Sequence, residues 1–252
     1  MRAIILAAGL GRRLGPRGEP LPKILLRFGG KSLLERHLRL LAGVGVREVV
    51  LGVGFKAAAV DEEIARIEPS ALGLRVETVF NPSYERGSVV TLWSLREALT
   101  RGGEVIVMDG DVLYDRRMIE RLAQTPHRNC FLLDRDVEPG EEPMKLAMRN
   151  GEPVDFRKSL EKAHDFYGES VGIFRFDQGV ARRLIEAARR LIEGGKDGEY
   201  FEEALRDVLI ASPSGTFGVE DVTGLPWIEI DFPGDVERAE REVLLSLLPE
   251  DR

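Results

Sequence analysis

The sequence predicts an α/β fold of three layers, with a mixed, mostly parallel central sheet between helices. Three observations predict it. Short apolar runs alternate with amphipathic stretches at helical spacing, the pattern of repeated strand, helix and strand units. A glycine-rich turn follows the first apolar run, at the strand end where open parallel sheets collect ligands. Hydrophobic residues make up 43% of 252 positions, enough to cover both faces of such a sheet within a single domain spanning 1–252.

Each element follows in order. Residues 1–8 form an apolar run closed by Gly9, as a buried parallel strand should. Gly9 and Gly11 let backbone N–H groups approach an anion with no Cβ in the way, and Arg13 and Lys23 add positive charge. This segment reads as a phosphate cradle. A dinucleotide-binding turn is excluded, because Leu14 stands where the third glycine belongs and no acidic residue ends the strand at 49–53. A Walker A loop is excluded because no Gly-Lys-Ser/Thr follows. Ser32 and Glu35 propose a capping box ahead of a helix carrying Leu33, Leu34, His37, Leu38 and Leu41, which Gly43 and Gly45 end. Residues 48–53 read as a strand, 57–67 as a helix, 74–80 as a third strand, 88–98 as one helix and 104–108 as a fourth strand.

Beyond residue 125 the candidate strands shorten, to 129–133, 144–148, 154–156 and 170–176, and antiparallel members are expected. Helices over 180–193 and 200–210 are split by a glycine-rich turn. A last strand over 227–230 precedes a closing helix near 236–248, with Pro233 suited to its first turn. No linker and no hexapeptide repeat appear, so no β-helix extension is expected.

A formal net charge of −7 argues against nucleic acid or an anionic membrane as the main partner. The single Cys130 excludes an internal disulfide and, within an apolar strand, reads as a packing residue. With no signal segment and no apolar run long enough to span a bilayer, the cytoplasm is the expected compartment.

Carboxylates cluster at two strand ends. Asp109 and Asp111 follow the fourth strand, and Glu229 and Asp231 end the last one. Such acids can cap helices, but two acid-bearing strand ends can also grip one Mg2+, which takes hard oxygen ligands.

The run Leu6-Ala7-Ala8-Gly9-Leu10-Gly11-Arg12-Arg13-Leu14, with Gly15-Pro16 beyond and Pro22-Lys23 downstream, resembles the signature of the sugar-phosphate and MobA-like nucleotidyltransferases. The Asp-x-Asp segment, the strand Gly168-Glu169-Ser170-Val171-Gly172-Ile173-Phe174 and the final acidic strand extend that resemblance over nearly the whole chain. It implies a Rossmann-like, GT-A-like fold, with a nucleotide-binding half over about 1–125 and an acceptor-binding, metal-completing half over about 126–252. It also implies Arg13 and Lys23 as catalytic residues and Asp111 and Asp231 as Mg2+ ligands. Leu6, Ala7, Ala8, Gly9, Gly11, Tyr84, Gly87, Ser88 and Asp109 would bind the nucleotide. Lys145, Lys158, Glu169 and Tyr200 are the candidates for holding an acceptor, Lys145 following Glu142, and His164 reads as structural or exposed.

The stretch from Tyr84 to Leu95 looks closest to phosphocholine, inositol-phosphate and aminoethylphosphonate cytidylyltransferases, which implies CTP as nucleotide and a small phosphate or phosphonate as acceptor. The aromatic and acidic residues at 200–203 could receive an ammonium head by cation–π contact. A sugar-1-phosphate nucleotidyltransferase using UTP, dTTP or GTP is the alternative, and a nucleotide-sensing regulator on the same fold is a second. A homodimer is left open.

Overall fold

The computed structural model describes residues 1–14, 21–136 and 143–252; Gly15, Pro16 and Glu142 lie outside them. The first strand, β1 (Arg2–Ala7), alternates its side chains between two cores, Ala3 and Ile5 on one face and Ile4 and Leu6 on the other. A two-residue hairpin, β2 (Arg27–Phe28) and β3 (Lys31–Ser32), then leads into helix α1 (Leu33–Gly43). Half of the proposed capping box forms. Ser32 Oγ accepts from the Glu35 N–H at 3.0 Å, whereas the Glu35 carboxylate turns away to Arg39 and Arg66.

The chain continues through β4 (Glu48–Val53), α2 (Ala57–Ile67) and β5 (Arg75–Phe80) to the segment expected as one helix. That segment is two helices, α3 (Ser88–Ser94) and α4 (Arg96–Thr100), parted at Leu95. No glycine or proline marks the break; Leu95 is fully buried, so packing against the sheet sets it. Next come β6 (Val105–Asp109), a short β7 (Val112–Tyr114) and α5 (Arg116–Gln124). Strands β1, β4, β5 and β6 are mutually parallel, in the order β6-β1-β4-β5.

The second half adds β8 (Cys130–Asp134), β9 (Lys145–Arg149), β10 (Glu152–Arg157) and β11 (Phe166–Phe176). The latter half of β11 lies antiparallel beside β6, and its first half pairs with β9, so strands from both halves of the chain share one mixed sheet. Helices α6 (Gln178–Glu193) and α7 (Phe201–Ile210) follow, then β12 (Gly218–Asp221), parallel to β8, and β13 (Trp227–Glu229), antiparallel to β7. The closing helix α8 (Pro233–Arg238) starts earlier than expected, with Pro233 in its first turn, and runs on through a π-helical turn at Ala239–Val243. Asp235 caps its start, accepting from the Asp231 and Phe232 N–H groups at 2.9 and 2.7 Å.

Helices α1, α2 and α5 cover one face of the sheet, and α3, α4, α6 and α7 cover the other. This is the three-layer arrangement that continuous apolar strands require, since each face must be buried. Among the described residues, no helix is long and apolar enough to cross a membrane.

Candidate active site

The carboxyl ends of β1 and β6, the start of α3 and the facing parts of β11 and α7 enclose a cavity of about 550 Å³. Its floor is the glycine loop. Gly11 holds φ +60° against the Lys23 side chain, a conformation other residues rarely adopt. The wall after β5 is set by Asn81, whose buried amide donates to Thr91 Oγ1 at 3.0 Å while its oxygen accepts from the Ser83 N–H. That turn carries Tyr84 over Gly54, where a Cβ would come within 2.3 Å of the tyrosine.

Gly87 and Ser88 fasten this wall to α7. The Gly87 N–H donates to the Asp197 carbonyl at 3.0 Å, and Ser88 Oγ accepts from the Phe201 N–H at 2.8 Å, capping α7 from another element. A Cβ on Gly87 would lie 2.0 Å from the Glu199 carbonyl oxygen, so only glycine permits the approach.

The two acid-bearing strand ends are brought together by the small β7/β13 sheet. The Ile230 N–H donates to the Asp111 carbonyl at 3.0 Å, which locks Asp111 opposite Glu229 and Asp231. Oxygens of these three carboxylates lie within 4.8 Å of one another. Lys23 donates to Asp231 Oδ1 at 2.6 Å and to Asp111 Oδ2 at 2.9 Å. Burial opposes charge on this lysine, but attraction and hydrogen bonds from the two aspartates outweigh burial and hold its pKa above the usual lysine range. Arg13 reaches Asp231 at 3.4 Å and the Tyr200 hydroxyl at 3.4 Å.

Strand β6 ends at Asp109, and Asp111 lies in the bend beyond, so the two acids take different surroundings. Asp109 packs toward Gly172, at φ +75°, where a Cβ would sit 2.7 Å from its Oδ2. Burial, then the nearby Glu202 and Asp111, push the Asp109 pKa well up. Glu229 opens onto the cavity's solvent but is ringed by protein, and burial with Asp111 and Asp231 beside it raises its pKa as well. Asp109, Asp111, Glu202, Glu229 and Asp231 share this space with Lys23, Arg13 and Lys158, a mixture of charges suited to a cation and a polyanion together.

Arg13, Lys23, Asp111 and Asp231 all line the cavity, as do Leu6, Ala7, Ala8, Gly9, Gly11, Tyr84, Gly87, Ser88 and Asp109. Of the acceptor candidates, Lys158 and Tyr200 line it, and Lys145 and Glu169 do not. The Lys145 ammonium donates to the Lys158 carbonyl at 3.0 Å, and Glu169 stands opposite Lys145 in the β9/β11 register. His164 is exposed, with Nδ1 2.8 Å from the Lys162 carbonyl. Cys130 is fully buried, and burial pushes its thiol up to about 12.

Lys158 Nζ sits 5.1 Å from the centroid of the exposed Tyr200 ring, over one of its faces. Of the two acidic residues expected near an acceptor at 200–203, Glu202 is the one that lines the cavity. Its Oε2 is buried with no hydrogen-bond partner, and burial pushes its pKa to about 7. In a run of two glutamates only the fold distinguishes it from Glu203, which is consumed by a two-point pair with Arg157 at 3.0 and 3.1 Å.

The fold is a three-layer α/β domain whose glycine loop and paired acids face one cavity, and comparison with known proteins places it more narrowly. The chain belongs to the MobA-like NTP transferase domain family, whose model matches residues 3–191. It is 32% identical over 250 residues to a CMP-5'-(3-aminopropyl)phosphonate synthase of Streptomyces rubellomurinus, covering 95% of this chain and 38% of that protein. It is 31% identical over 246 residues to a bifunctional IPC transferase and DIPP synthase of Rubrobacter xylanophilus, covering 96% of this chain and 52% of that one. The chain thus spans about half or less of the length of these relatives. Among solved structures, the inositol-1-phosphate CTP transferase of T. maritima shares the fold, with a TM-score of 0.72 at 22% identity over 93% of this chain and 90% of that chain.

Proposed function

We propose that the chain is a Mg2+-dependent cytidylyltransferase, moving CMP from CTP to a small phosphorylated alcohol or phosphonate and releasing pyrophosphate. The observation that carries this reading is the convergence of Arg13 and Lys23 with Asp111, Glu229 and Asp231 at one end of the glycine-loop cavity. Relatives whose names denote CMP-phosphonate synthesis and IPC transfer support the choice of nucleotide and acceptor.

In the proposed reaction an acceptor phosphate or phosphonate oxygen attacks the α-phosphorus of CTP. A new P–O–P bond forms, the α–β bridge breaks, and pyrophosphate departs with the bridging electron pair. A phosphate monoester, with its second pKa near ~6, is already mostly dianionic at neutral pH, so that class of acceptor needs no general base. The task is to position two anions and offset their repulsion. The Gly9 to Gly11 backbone would receive the triphosphate, and the Leu6 to Ala8 backbone with Tyr84 would hold the base. Arg13 would turn from Asp231 to the β- and γ-phosphates. Lys23 would bridge the α-phosphate and the incoming oxygen, and Lys158, whose carbonyl accepts from Lys145, would meet the acceptor's phosphate.

The hard carboxylate oxygens of Asp111 and Asp231, with Glu229 beside them, suit Mg2+. When bound there it would neutralise phosphate charge. The test is pyrophosphate release over a panel of triphosphates and acceptors. CTP with a small phosphate or phosphonate is expected to turn over; turnover only with UTP, dTTP or GTP and a hexose phosphate would return the sugar-nucleotide alternative.

A further inference from the structure

We infer that His37 is a positioning residue for the metal site, fixing Asp111 through the carbonyl of Gly110. The inference rests on the Mg2+-dependent reading above and extends it to a side chain that does not line the reaction cavity. Helix α1 faces the core with Leu33, Leu34, Leu38 and Leu41, all fully buried, and His37 lies among them with no exposed surface. An apolar residue would be cheaper to bury there. The imidazole leaves Nδ1 buried with no hydrogen-bond partner, so what the histidine contributes is its other nitrogen.

Nε2 lies 3.2 Å from the Gly110 carbonyl oxygen. A carbonyl only accepts, so Nε2 carries a proton and donates. That carbonyl belongs to the peptide joining Gly110 to Asp111, and a peptide is planar, so the bond to His37 sets the direction in which Asp111 leaves the turn. Gly110 is tied on its other side as well, its N–H donating to the Leu6 carbonyl at 3.0 Å. A Cβ at Gly110 would meet the Leu6 oxygen at 3.0 Å and the Ala7 and Ile24 side chains at 3.2 Å, so the glycine is wedged against β1 with little room to shift. Tyr114 of β7, stacked on the imidazole, steadies the ring. Beyond the turn, the carboxylate oxygens of Asp111, Glu229 and Asp231 lie within 4.8 Å of one another. Without the donor the buried Gly110 carbonyl loses its partner and its peptide is free to rotate, which carries the Asp111 carboxylate away from the other two.

The experiment compares wild type, His37→Leu and His37→Gln, because a glutamine amide can offer an N–H to Gly110 and leucine cannot. Two quantities are measured: Mn2+ affinity by electron paramagnetic resonance, with CTP present and no acceptor, and the Mg2+ concentration giving half-maximal pyrophosphate release. His37→Leu should bind Mn2+ at least about 10-fold more weakly and need correspondingly more Mg2+, with a smaller change in KM for the acceptor. His37→Gln should recover most of that loss. Unchanged Mn2+ affinity in His37→Leu, or an equal loss in both variants, would overturn the inference and leave the cytidylyltransferase reading standing. No Mn2+ bound by wild type would instead remove the metal reading itself. Thermal unfolding shows whether each variant folds; should His37→Leu fail, His37→Phe, which keeps a ring for Tyr114 to stack on and lacks the donor, carries the same expectation.

Discussion

His37 is fully buried, with Nε2 3.2 Å from the Gly110 carbonyl and its ring stacked on Tyr114 at 5.6 Å, so it grips the segment carrying Asp111 from both sides. Burial, opposed by that carbonyl and aided by Arg36, lowers its pKa from 6.5 to about 4. The imidazole is therefore neutral in the folded protein. Unfolded chain takes up a proton as pH falls below 6.5, and the folded chain does so only near 4. The stability His37 contributes is full above pH 6.5 and is lost as the pH falls toward 4. Urea denaturation across this range should show wild type losing about 3 kcal/mol more than His37→Gln. Parallel pH curves for the two proteins would contradict the assignment.

At the scale of elements, the site depends on loops fastened to one another. The Gly87 contact with Glu199 joins the nucleotide wall to α7, and Gly87→Ala should force it apart. The expected result is a loss of about 1–3 kcal/mol in urea denaturation together with raised KM for both substrates. Asp155 fastens the loop bearing Lys158. It has no exposed side-chain surface and accepts from Arg206 at 2.7 Å and from the Glu161 and Lys162 N–H groups at 3.0 and 3.1 Å. Arg206 keeps a second partner in Glu161 at 3.0 Å, so Asp155→Ala should cost about 2 kcal/mol, less than the loss of a sole buried partner would.

The same elements show what could be read from the chain. The long apolar strands β1, β4 and β6 announce themselves because both faces are buried, and Gly9, Gly11 and Lys23 stand out by spacing. Strands of two to four residues, such as β2, β3, β7 and β12, carry too few positions for any period to register. Glu202 and Glu203 look alike in sequence, and only the packing of Arg157 and Lys158 separates their roles. The break at Leu95 has no local signal, since tertiary packing imposes it.

Across the whole molecule, a chain of net charge −7 lines one cavity with Arg13, Lys23 and Lys158 beside Asp109, Asp111, Glu202, Glu229 and Asp231, so an anionic substrate would meet the cations directly and the acids through a metal ion. Strands from both halves build that cavity through one continuous sheet, which fixes the glycine loop relative to the acids brought in by β7 and β13. In the proposed reaction this assembly joins CTP to a phosphate or phosphonate acceptor, with Lys23 at the reacting phosphorus. Its most direct test is pyrophosphate release from CTP and 2-aminoethylphosphonate with Mg2+, in wild type and Lys23→Ala. The account predicts rapid release by wild type, its abolition on chelating Mg2+, and a fall in kcat of about 100-fold or more in a variant that still unfolds cooperatively. Near-normal turnover in Lys23→Ala, or release unaffected by chelation, would contradict it.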